Sequence, residues 1–168
     1  MTNQIQTYLQ DVTQIYQKGN ATEHTYRPAL KRLLESFGDG VLAVNEPKRI
    51  KCGAPDFLIS QGMLEIGHVE AKDIGITLKG LEKKDQMKHY LNALGNLIFT
   101  DHLEFRWYVD GELRLSAAIA TFDKQKKIKP DRAKHRGYWE CEKYAKDKEC
   151  ENLHNWDGNS QHDGTSHS

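Results

Sequence analysis

No surplus of charge marks this chain: 24 lysines and arginines stand against 24 aspartates and glutamates, and the formal net charge is zero. Overall basicity of the kind that draws a protein to nucleic acid is absent. A local basic face is not excluded, because carboxylates at a site offset it in the total. Cysteine is scarce. Cys52, Cys141 and Cys150 are too few and odd in number for a disulfide framework. No signal-peptide pattern opens the chain, so the expectation is free thiols in a reducing cytoplasm. No apolar run approaches the roughly 18 residues that a membrane span needs. Internal repeats and a glycine-rich cofactor loop are also missing. What remains is 168 residues, enough for one domain with a real core and a tail.

The apolar pattern supplies the elements. Ile5, Tyr8, Leu9, Val12, Ile15 and Tyr16 recur at helical spacing, and Gly19 is a fitting stop. A second helix is predicted over 22–37, capped by Thr22, with Tyr26, Leu30, Leu33, Leu34 and Phe37 as its buried stripe. Pro28 is tolerated only in or near the first turn, so the start either slips toward Arg27 or bends there. Strands are predicted over 41–45, over two arms between 53 and 72, over 96–100, and over 104–109 and 112–120 around the hairpin signal Asp110-Gly111. A helix over 81–94 precedes the fourth strand, with Gly95 past its end. Helices packed on a mixed sheet follow from this order. The pattern stops near Phe122, so the domain is expected over 1–123. The extension over 124–168 begins with a basic run and ends, from 157, in a polar segment too poor in apolar surface to order itself.

The two arms carry the chemistry. Asp56 lies on the first; Glu70 and Lys72, two residues apart on the second, share a strand face. Two hard carboxylates and an ammonium in one patch suit magnesium and a phosphate. Parity sets a condition. A strict two-residue turn at Gln61-Gly62 would pair Asp56 with Gly67, on the wrong face relative to Glu70, so shared ligation requires a three-residue turn or a bulge. Gln86 and Tyr90, four apart, share a face of the following helix. Lys48, Arg49 and Lys51 precede the acidic patch, and Lys79, Lys83, Lys84 and Lys88 follow it, as phosphate contacts would require. Each is also compatible with an ordinary solvated face. His68 and His89 read as packing or DNA-contacting residues. Cys141, Cys150, His154 and His162 lack the Cys-x-x-Cys spacing of structural zinc.

Pro55-Asp56 followed by Glu70-Ala71-Lys72 resembles the signature of the PD-(D/E)xK nuclease superfamily. The resemblance implies a restriction-endonuclease-like αβββαβ core, an order that periodicity reaches separately. It implies a magnesium-dependent DNA endonuclease, with manganese able to substitute, in which a metal-bound water attacks in line and leaves a 5′-phosphate. Asp56, Glu70 and the backbone carbonyl of Ala71 would hold the metal, and Lys72 would sit beside the attacked phosphate. Gln86-x-x-x-Tyr90 is similar to a motif of RecB-like nucleases and type I restriction subunits, where the pair abuts the site. Glu23 resembles the acid that many relatives carry on the first core helix; it either reaches the metal through water or pairs with Arg27. Residues 22–30, 53–57, 70–73, 96–101 and 104–107 resemble the nuclease part of single-chain restriction–modification enzymes. Double-stranded DNA is the expected partner, with a methyltransferase or target-recognition chain, or a second copy, as further candidates. A junction-resolving repair nuclease and a non-cutting DNA-binding or assembly module are the rival readings.

Overall fold

The computed structural model describes residues 3–131. Helix α1 (Asn3–Gln17) comes first, then a 3-10 turn (Glu23–Tyr26) that runs into α2 (Arg27–Glu35). Strands β1 (Val41–Asn45), β2 (Phe57–Gln61) and β3 (Leu64–Ala71) follow, then α3 (Asp85–Ala93) and β4 (Asn96–Thr100). Strands β5 (Glu104–Val109), β6 (Glu112–Ala118), β7 (Ala120–Phe122) and β8 (Ile128–Pro130) complete the order. The first six strands form one sheet in sequence order. All neighbours are antiparallel except β3 and β4, which α3 connects in parallel.

Helices cover both faces. Leu9 and Val12 of α1 and Leu30 and Leu33 of α2 pack with Phe57, Val69 and Ala71. Met87 and Tyr90 of α3 pack with Leu97, Phe99 and Tyr108. Along β4, Ile98 meets the first cluster while Leu97 and Phe99 join the second, as alternation on a strand requires. This is the mixed α/β architecture with the αβββαβ order expected. Among the described residues no helix is long and apolar enough to cross a membrane.

Pro28 sits in the first turn of α2, so the second helix starts at Arg27, the slip that the proline allowed, and the residues before it wind as a 3-10 turn. Three local expectations are corrected. Phe37 lies beyond the end of α2 and is 62% exposed, outside the stripe. Before α3, Leu81–Lys83 is a separate 3-10 turn and Lys84 is extended. The last predicted strand breaks at Ile119, whose amide donates to the Leu103 carbonyl at 2.8 Å. The chain then turns into the β7–β8 hairpin. Ile128 of β8 enters the first core cluster, so packed structure runs past Phe122 to about Asp131. The basic run is thus partly strand. The remainder of the extension, with the cysteine–histidine set and the polar end, lies outside the described residues.

Candidate active site

The β2–β3 hairpin decides whether Asp56 and Glu70 can meet. Its turn is Gly62-Met63, one residue later than expected, with Gln61 opposite Leu64 and Ser60 opposite Glu65. Continued regularly, that register would set Asp56 against Val69. It does not continue: between Ser60 and Ile59 the register shifts, Ile59 faces Gly67, and Ile66 is the extra residue. Phe57 then faces Val69. One residue further, Asp56 stands across from Glu70. The bulge meets the parity condition.

Asp56 and Glu70 are both buried. Asp56 Oδ2 accepts the Ala71 amide at 2.8 Å, and Oδ1 accepts from the Arg27 guanidinium. Glu70 Oε1 accepts from Lys72 Nζ at 2.6 Å and from Gln86 Nε2 at 3.4 Å. Burial pushes the Glu70 carboxyl up to about 7, against the opposing hydrogen bond from Lys72; the charges of Asp56 and Glu23 push the same way as burial. For Lys72, burial acts downward, but the hydrogen bond and charge of Glu70, with Glu23 and Asp56 behind, turn the net shift upward. The ammonium is therefore kept charged.

Gln86 also donates to the Tyr90 hydroxyl at 3.2 Å. The Tyr90 ring is buried against Gly53, where φ is +140° and an added Cβ would lie 2.8 Å from Cε1. Only glycine fits so close an approach. The Ala54 backbone, two residues before Asp56, lies close enough to the Tyr90 hydroxyl to act on its pKa. One helix thereby holds both arms: Gln86 steadies Glu70, and Tyr90 steadies the loop leading to Asp56. Lys48, Arg49 and Lys51 ahead of this loop are exposed, as are Lys83, Lys84 and Lys88 around the start of α3. Below it, Glu82 pairs with Arg106 and accepts from Tyr108 Oη at 3.0 Å, anchoring the turn that starts α3.

Glu23 pairs with Arg27 at 3.4 Å, and its charge is felt at Glu70 and Lys72. His89 is exposed on α3, and half-buried His68 borders an apolar groove with Ile66, Ile98 and Trp107. The main omission of the sequence reading is Arg27, which appeared there only as a partner for Glu23. Its side chain is buried and also binds Glu46 at 2.8 Å. Glu46 was missed as well; it has a positive φ of 50°, and its amide donates to the Asp56 carbonyl at 2.8 Å. His102 was a third omission. It is fully buried, stacks on Tyr26 and accepts the Tyr8 hydroxyl at its carbonyl, 3.0 Å away. Burial, then the Arg27 charge, holds it down at about 4, so it ties α1 and α2 to the β4–β5 turn as a neutral ring. No local pattern announces such a residue.

Among the described residues, no group of three or more His, Cys, Asp and Glu side chains forms a ready metal cage. The donor set still fits magnesium, which commonly takes one or two carboxylates and keeps several waters. Glu70 Oε2 is buried without a hydrogen-bond partner, beside a second carboxylate. An orphaned acceptor of this kind is costly unless something fills the place.

No family model matches the sequence, and no curated protein does. Solved structures do match. One is a chain of a DrdV–DNA complex determined by cryo-electron microscopy, with a TM-score of 0.58 and 23% sequence identity. The likeness is one of fold. It covers 68% of this chain but 12% of that one, so this chain spans a small part of its neighbour's length.

Proposed function

We propose that this chain is a magnesium-dependent DNA endonuclease of restriction type. The observation that carries the reading is the bulged β2–β3 hairpin. It sets two buried carboxylates opposite each other and hangs the Lys72 ammonium from one of them. The DNA in the fold neighbour's complex supports DNA as the substrate, as do the exposed cations at 48–51 and around the start of α3.

Asp56 and Glu70 would hold the cation, with the Ala71 backbone carbonyl as a further ligand. When bound, the ion would supply Lewis acidity and a water of lowered pKa. The chain's own groups do the rest. Lys72, kept charged by Glu70, offsets negative charge that builds on the attacked phosphate. Gln86 restrains Glu70 and so the reach of Lys72. Tyr90 holds the loop that carries Asp56. Exposed lysines and arginines bind flanking phosphates, which positions the duplex without reading its bases. Base recognition would fall to a partner chain, a methyltransferase or target-recognition unit, or to a second copy.

The test is nicking of supercoiled plasmid by the full chain in magnesium or manganese. Lys72→Ala should retain fold and metal binding and lose most cleavage, by about 10²-fold or more. Asp56→Ala should lose metal binding as well. Retained nicking by Lys72→Ala removes the lysine from the mechanism, and no metal-dependent nicking by the wild type favours a non-cutting module. Preference for branched over linear duplex would indicate a junction-resolving enzyme.

A further inference from the structure

Arg27 is the least expected member of the site. It is the first residue of α2, with a side chain only 6% exposed. A buried guanidinium requires anions close by, and three elements supply them: Glu23 in the 3-10 turn, Glu46 after β1 and Asp56 before β2. Their side chains are 28%, 68% and 11% exposed respectively, so the coupling to Asp56 is the least screened. The Arg27 Nε is buried with no partner, so the guanidinium is engaged through its terminal nitrogens alone.

Asp56 does not need Arg27 for its placement. Its Oδ2 accepts the Ala71 amide and its carbonyl accepts the Glu46 amide, each at 2.8 Å. What Arg27 adds is charge. Counted formally, Glu23, Glu46, Asp56 and Glu70 face Arg27 and Lys72, a balance of two negative charges that one divalent cation would cancel.

We propose that Arg27 is a positioning residue of the metal site, a fixed counter-charge that offsets the repulsion among the carboxylates without an ion and holds the affinity for a divalent cation low. This rests on the nuclease reading. Being buried at the start of a helix, Arg27 does not leave when the cation enters, and its repulsion remains part of the binding equilibrium.

The test is titration of the full chain with manganese, following the free ion by electron paramagnetic resonance. Arg27→Gln should bind manganese at least about tenfold more tightly, the scale of one unit charge near a ligand in a partly solvated site. Arg27→Lys keeps the charge but not the forked contact; it should stay within about threefold of wild type while its melting temperature falls. Equal or weaker binding by Arg27→Gln overturns the proposal, as does Arg27→Lys gaining affinity to the same extent. If Arg27→Gln does not fold, Glu46→Gln carries the test, since that carboxylate is largely exposed. With one acceptor removed, the Arg27 charge is less offset and manganese affinity should fall about two- to threefold; unchanged affinity overturns the proposal. Manganese binding by none of the chains overturns the nuclease reading and this inference with it.

Discussion

Glu70→Gln should change how stability depends on pH more than it changes stability at any one pH. Glu70 is 4% exposed, and its carboxyl is pushed up to about 7 from an ordinary 4.5, chiefly by burial. A carboxyl raised in the folded state costs nothing below the unfolded value, where both states hold the proton. Between pH 4.5 and 7 the unfolded chain releases the proton while the folded chain keeps it, so stability falls by up to about 1.4 kcal/mol per pH unit. Above about 7 the penalty is complete, at about 3 kcal/mol. Glutamine has no proton to lose. Lys72 loses its partner in that variant, but the ordinary value of its ammonium, 10.5, lies above this window. The difference in stability between variant and wild type should therefore move by about 3 kcal/mol in the variant's favour from pH 4.5 to 8. In a domain of this size that is roughly 10 °C in melting temperature. The assay is urea unfolding of both metal-free chains across the range, followed by circular dichroism. Saturating magnesium should flatten the wild-type dependence, because the ion favours the charged form, and leave the variant unmoved. Parallel stability–pH curves for the two chains would refute the assignment of Glu70 as a buried, unfilled carboxylate.

Other outcomes follow from the same contacts. Gly53→Ala puts a Cβ 2.8 Å from the Tyr90 ring at a φ of +140°; it should cost about 1–3 kcal/mol of stability and lower plasmid nicking along with it. Deleting Ile66 removes the bulge but leaves Gly67 opposite Ile59 and Asp56 opposite Glu70, so manganese binding should persist; its loss would show that the bulge does more than set the register. A chain ending at Phe122 loses Ile128 from the core and should unfold about 2–4 kcal/mol more easily than one ending at Asp131; equal melting temperatures would show that β8 adds nothing.

Much of the architecture was legible because it is periodic. The stripe of α1, the strands and the Asp110-Gly111 hairpin are local patterns, and each element appears near its expected place. Errors fell where local geometry competes with pattern. Lys84 interrupted the run into α3, and Ile119 bent out of β6 to meet Leu103. Ile128 went unnoticed because a single apolar residue in a lysine-rich run has no period to reveal it.

By itself the sequence determined that Glu70 and Lys72 lie on one strand face, since side chains two residues apart must do so, and that Gln86 and Tyr90 share a helix face. Both relations span a few residues of regular backbone. Whether Asp56 joins Glu70 depended on one extra residue in β3, a detail that only pairing with β2 expresses. The clustering of Glu23, Glu46 and Asp56 around Arg27 is likewise tertiary. Those residues are far apart along the chain, and burial and Coulomb attraction act on distance in space, which only the packed sheet and helix set.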